Sequence, residues 1–210
     1  MTQRPKVAVY GGTFNPVHNG HLALAEHILE VGAADYVYFM PVFKPVHKKV
    51  TKEWASYAKR VEMLGLALSG RDPRLRVSLI EKEIGKPSYT LNTLDELSHR
   101  WLDKEFAWCI GADELECLHT WDPDPIRLVR NYDFIVYLRP GCLVSLTALR
   151  EHWPGWLCRK LLDGILWDAP RIPVSSSMIR DRIRYEGIEH VSDMVPDSVL
   201  TYIKENNLYK

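Results

Sequence analysis

The sequence predicts an α/β fold: a doubly wound parallel sheet of five to six strands with helices on both faces, plus a small helical part at the C-terminal end. Three observations predict it. Short apolar runs and segments of helical periodicity alternate along the chain. The first run, Val7-Ala-Val-Tyr10, is continuously apolar, as a parallel strand buried on both faces is. It stops at Gly11-Gly12, and the next periodic segment is helical, so the chain opens as strand, glycine-rich turn and helix.

In that opening unit, Gly11 and Gly12 let the backbone come close to a ligand. Asn19-Gly20 precedes Leu22, Ala23, Leu24, Ala25 and Ile28, which recur at helical spacing. A helix start carries unpaired N–H groups and the positive end of the helix dipole, which together suit an anion. His18 and His21 stand at this start with one helical turn between them. Gly20 puts no side chain in the way of a phosphate. Each histidine alone also reads as a solvated or capping residue. The motif is neither the dinucleotide fingerprint nor a P-loop, since G-x-G-x-x-G and Gly-Lys-Ser/Thr are both absent.

Tyr36–Met40 reads as the second strand, ended by Pro41. Residues 42–49 form a basic, proline-rich loop at the carboxyl end of that strand, where open α/β sheets bind ligands. Lys49 reads as solvated; His47 and Lys48 read either way. Residues 54–69 read as a helix with a core stripe of Tyr57, Val61, Met63, Leu64 and Leu68, and Arg60 on it as a surface residue. Residues 75–80 alternate as a strand. Pro87-Ser88 precedes an apolar helical run, with Ser88 or Thr90 as the cap.

Phe106–Ile110 is a further buried strand. Asp113, just past its end, can accept from ribose hydroxyls or cap the next helix. Trp121, ahead of Asp122-Pro123, can stack on a flat ring or pack half-buried. Asp133–Leu138 is the fifth strand, ended by Arg139-Pro140-Gly141. Residues 142–163 are less regular and hold a helix, and 164–167 make the last strand. Ser175-Ser176-Ser177 is a strong helix-capping signal ahead of an amphipathic segment. These serines offer hydroxyl and N–H donors at a second helix start, and Arg180, one turn in, can grip phosphate oxygens as a fork.

The length of 210 residues and 46% apolar content suit one domain, 1–210, of which about 171–210 is the C-terminal helical part. With 27 basic and 27 acidic residues the formal charge is zero, which argues against nucleic acid or an acidic membrane as partner. No apolar run approaches membrane-spanning length and no secretion signal opens the chain, so the cytoplasm is the expected compartment. Cys109, Cys117, Cys142 and Cys158 form no close pair and read as reduced thiols, with no metal site.

The stretch GGTFNPVHNGHL, residues 11–22, resembles the amino-terminal signature of nucleotidyltransferases that carry a His-x-Gly-His motif. More narrowly it is similar to the bacterial nicotinate-nucleotide adenylyltransferase family, whose usual wording is GGTFDPxHxGH, with Asn15 in place of Asp. The resemblance continues in order through PSYTLNTL at 87–94, the GAD and Trp121 stretch, VSSSMIR at 174–180, which resembles ISSTxIR, and the C-terminal helix and tail; it is poorest over 142–163.

That resemblance implies a Rossmann-like sheet and adenylyl transfer from ATP to nicotinate mononucleotide, giving deamido-NAD and pyrophosphate. It implies His18, His21 and Arg180 as catalytic groups. ATP contacts fall to Gly11, Gly12, Thr13, Phe14, His18, Gly20, His21, Gly111, Asp113, Ser175, Ser176 and Arg180. Mononucleotide contacts fall to Asn15, Lys48, Tyr89, Thr90, Trp121 and Asp122. Nearby phosphate favours charged imidazolium, so the histidines are expected to stabilise phosphate rather than move protons. Mg²⁺ is expected to arrive with ATP, and homo-oligomers are compatible with the sequence. Nicotinamide mononucleotide and phosphopantetheine are the other acceptors of this chemistry, and an inactive nucleotide-binding module is the reading from another class.

Overall fold

The computed structural model describes residues 4–46, 54–142 and 144–210. Among them the chain runs β1 (Lys6–Gly12), α1 (Asn19–Glu30), β2 (Tyr36–Pro41), α2 (Tyr57–Leu68), β3 (Leu75–Val77), α3 (Ile80–Ile84) and α4 (Thr90–Arg100). It continues through β4 (Glu105–Gly111), α5 (Ala112–Leu115), a 3-10 turn at Leu118–Thr120, α6 (Pro125–Asn131) and β5 (Asp133–Tyr137). Then come α7 (Leu146–His152), α8 (Gly155–Asp163), β6 (Ile165–Leu166), α9 (Ser176–Tyr185), a 3-10 turn at Ile188–Val191 and α10 (Asp197–Glu205).

The described strands form one parallel, Rossmann-like sheet in the order β3-β2-β1-β4-β5-β6. Alternation along each strand feeds two cores. Ala8, Tyr10, Phe39 and Cys109 face one side, packed by α1, α2, α9 and α10. Val7, Val9, Met40 and Trp108 face the other, packed by α4, α6, α7 and α8. The strand order reverses between β1 and β4, and in such sheets that switch point opens a crevice beyond the carboxyl ends of the strands.

The capping chemistry is local. Ser56, Asp124, Ser145 and Ser175 each accept a backbone N–H three residues on and open α2, α6, α7 and α9. The stretch 75–80 departs from the expected strand. β3 ends at Val77 and the chain turns helical at Ile80, because Ile80 sinks into the core beside Leu91 and Leu94 while Glu81 finds buried donors. Gly85, at φ +67, ends that helix. Residues 142–163 are more regular than expected: α7 and α8 bury Leu149, Trp153, Leu157 and Leu161. The last strand shrinks to Ile165–Leu166, with Trp167 66% exposed beyond it. All four cysteines are free thiols.

Candidate active site

A cleft of about 630 Å³ lies at the carboxyl edge of the sheet. Gly11, Gly12, Thr13, His18, Gly20, His21, Ser175, Ser176 and Arg180 all line it, so the structure brings the two helix starts to one place. Direct bonds hold them there. Arg180 Nη1 donates to the Asn15 carbonyl at 2.8 Å and Nη2 to Ser177 Oγ at 3.2 Å. Ser176 Oγ donates to the Pro16 carbonyl at 2.8 Å. Ser175 caps α9 by accepting from the Met178 N–H at 3.1 Å. A Cβ on Gly11 would run into the Trp108 ring, which forms part of the cleft wall, and one on Gly20 would sit 3.1 Å from His18 Nδ1.

The His18 and His21 rings stack, 3.6 Å between centroids and 25° between planes. The His18 backbone N–H donates to His21 Nδ1 at 3.2 Å. That bond leaves Nε2 as the protonated nitrogen of a neutral His21, a donor. Burial pushes His18 down to about 4 and His21 well below the usual histidine range, and the Arg139 guanidinium pushes both the same way. Without ligand both rings are therefore uncharged at neutral pH. Charge on either ring thus needs an anion beside it, which is the condition under which imidazolium is expected.

Arg139 is the cleft residue that sequence reasoning left as a strand terminator. It pairs with Asp113 at 2.9 Å and donates to Tyr137 Oη at 3.0 Å. Its one sequence signal is a cation immediately beyond a buried strand. Asp113 neither caps α5 nor lines the cleft; it is paired with Arg139, which does line it, and a Cβ on Gly111 would strike Asp113 Oδ1.

Other expected contacts are not brought together there. Phe14, at φ +47 and 1% exposed, packs its ring against Tyr10, His21 and Phe39 as core. The Asn15 amide is buried: its Oδ1 accepts from the Ala55 N–H at 3.0 Å and from Tyr209 Oη at 2.8 Å. It thus ties the glycine turn to α2 and the C-terminus instead of facing the cleft. Tyr89, Thr90, Trp121 and Asp122 do not line the cleft: Trp121 packs against the core on the α4 side of the sheet, and Thr90 is the first residue of α4, not its cap. His47 and Lys48 lie outside the described residues. Arg60, expected on the surface, is 4% exposed and donates to the Thr13 and Val42 carbonyls. Among the described residues, no three His, Cys, Asp or Glu side chains gather as a metal-holding group, and no helix is long and apolar enough to cross a membrane.

A parallel sheet with paired helix starts over its switch point defines a nucleotide-handling class, and the chain belongs to the cytidylyltransferase-like family, whose profile matches residues 9–182. Its relatives are more particular. The nicotinate-nucleotide adenylyltransferase of Bacillus subtilis is 35% identical over 205 residues, covering 98% of both chains. A Bacillus licheniformis protein named probable nicotinate-nucleotide adenylyltransferase is 37% identical over 205 residues, again 98% of both. Plasmodium falciparum nicotinic acid mononucleotide adenylyltransferase, solved in complex with NaAD, shares the fold with a TM-score of 0.74 at 16% identity, over 98% of this chain and 97% of that one.

Proposed function

We propose that this protein is an adenylyltransferase of NAD biosynthesis, acting in the cytoplasm, that joins ATP to nicotinate mononucleotide and releases pyrophosphate and deamido-NAD. The observation that carries this reading is the shared cleft: the starts of α1 and α9 meet there with His18, His21 and Arg180. The full-length likeness to enzymes of that name supports the choice of acceptor.

In the reaction a phosphate oxygen of the mononucleotide attacks the α-phosphorus of ATP. The bond to the bridging oxygen breaks, and pyrophosphate leaves with its electrons. The nucleophile is already an anion, so no general base is required. The protein's part is to hold two anions in line and offset the charge that develops. His21 Nε2–H and the His18 ring donate to the α-phosphate, and the approaching anion draws both toward imidazolium. The Ser176 hydroxyl is engaged with Pro16, so its contribution to the β- and γ-phosphates is its N–H at the first position of α9, beside the Arg180 fork. Gly11, Gly12 and Gly20 keep the backbone approach open, Thr13 adds a hydroxyl, and Arg139 adds a cation steadied by Asp113. Mg²⁺ would arrive with ATP rather than on a protein site, and would offset phosphate charge.

The acceptor ring approaches from the α4 side. Thr90 offers a hydroxyl and a helix-start N–H to the pyridine carboxylate, and Trp121, half-buried, offers a face to stack on. Mixing ATP with nicotinate mononucleotide tests the reading. Pyrophosphate should appear only with both present, and faster than with nicotinamide mononucleotide. No pyrophosphate from any pairing overturns it.

A further inference from the structure

Two buried charges outside the cleft have no part in the chemistry above. Arg60 on α2 and Glu81 on α3 are each 4% exposed. Arg60 Nη1 donates to the Thr13 carbonyl at 2.7 Å and Nη2 to the Val42 carbonyl at 2.8 Å. One oxygen of Glu81, Oε2, accepts from the Phe43 N–H at 2.9 Å and from Ser88 Oγ at 2.5 Å. The same loops are joined further by the Ser88 N–H to the Lys44 carbonyl at 3.0 Å, the Lys44 N–H to Ser88 Oγ at 3.2 Å and Lys44 Nζ to the Gly85 carbonyl at 2.7 Å.

The bonds run in series. They start at Thr13 in the cleft wall, pass through Arg60 to the exit of β2, and pass through Glu81 to the turn that opens α4. Burying a guanidinium and a carboxylate is costly, and apolar side chains would pack these positions at less cost. What the charged groups supply instead is direction, since each fixes backbone groups of separate segments at hydrogen-bonding distance.

We propose that Arg60 and Glu81 are positioning residues that hold the acceptor-side loops at a set distance from the triphosphate cleft. Arg60 anchors the β2 exit to Thr13, and Glu81 carries that placement to Ser88 and the start of α4. This deepens the reading that the α4 opening receives the mononucleotide, and it rests on it. Glu81 therefore governs acceptor binding alone. Arg60, which touches Thr13, bears on both substrates.

Steady-state kinetics on the full chain tests this, with KM taken separately for ATP and for nicotinate mononucleotide. Glu81→Ala should raise the mononucleotide KM about tenfold or more and leave the ATP KM within about twofold. Glu81→Gln should restore most of the loss, because both bonds end on a single oxygen and an amide carbonyl can accept both. Arg60→Lys should raise both KM values, since one ammonium lacks the fork that spans two carbonyls. Should Glu81→Ala not fold, Ser88→Ala breaks the other end of the same bond at a half-buried site, and the same selective rise, about threefold, is expected. Equal changes in both KM values for the Glu81 or Ser88 variant, or no change in either, overturn the inference while the functional reading stands. A wild-type protein that yields no pyrophosphate overturns both.

Discussion

The two halves of this site are built differently. The proposed triphosphate half joins two helix openings to the side chains of His18, His21 and Arg180; parallel-sheet topology brings them together, and bonds such as Arg180 to the Asn15 carbonyl, 165 residues apart, fasten them. The proposed acceptor half consists of side chains that do not line that cleft: Thr90, at the start of α4, and Trp121, packed against the core on the α4 side of the sheet. An anion needs only N–H groups and a few cations around it, which a helix start supplies wherever it stands. A flat ring with a carboxylate needs a particular face at a particular distance, so its loops need struts, and Arg60 and Glu81 are buried where struts belong.

The widest separation of the halves comes from His21→Ala. It should lower kcat about a hundredfold or more, as loss of a preorganised donor does, and leave the mononucleotide KM near its starting value. Pyrophosphate release measures both. A near-normal kcat removes His21 from the chemistry; a selective rise in acceptor KM would assign it to the wrong half.

Acidity should strike the triphosphate half. His18 titrates near 4 in the fold against 6.5 for an ordinary histidine. As pH falls through about 6.5 the unfolded chain gains a proton that the folded chain refuses, so stability is lost from there down to about 4, where the loss levels off. For His18 alone this amounts to about 3 kcal/mol, and His21 acts in the same direction. ATP should flatten the slope, since phosphate favours the protonated rings. Melting curves from pH 8 to 4, with and without ATP, give the answer; identical slopes would mean that ATP does not contact the imidazole pair.

Gly11→Ala forces a methyl against Trp108 and should cost about 1–3 kcal/mol in thermal unfolding, as overpacking does. Trp121→Ala should do least: a rise in mononucleotide KM worth about 1 kcal/mol, with kcat nearly unchanged, because stacking is mostly uniform binding. A rise in ATP KM instead would put the adenine, not the pyridine, against Trp121.

The groups legible in the sequence share one property: the pattern that marks each of them lies within a few neighbouring residues. Val7–Tyr10, the Gly11-Gly12 stop, the His18 and His21 turn and the Ser175 cap each announce themselves within a few residues. Arg60 read as a surface residue because nothing near it in sequence shows that Thr13 and Val42 would offer it carbonyls. Asn15 read as a ligand contact because its partners, Ala55 and Tyr209, are 40 and 194 residues away. Residues 75–80 read as strand because Leu75, Val77 and Leu79 alternate with Arg76 and Ser78, yet Ile80 breaks that phase and clusters with Leu91 and Leu94 of α4.

By itself the sequence determined the alternation of strands and helices, and with it two helix starts rich in donors. Hydrogen bonding at a cap and periodicity along a strand are local physics and leave local marks. Only the tertiary structure decided which buried groups carry charge, that the free histidines are neutral, and that Arg139 joins them, because desolvation and charge pairing depend on neighbours the chain meets only after it has folded.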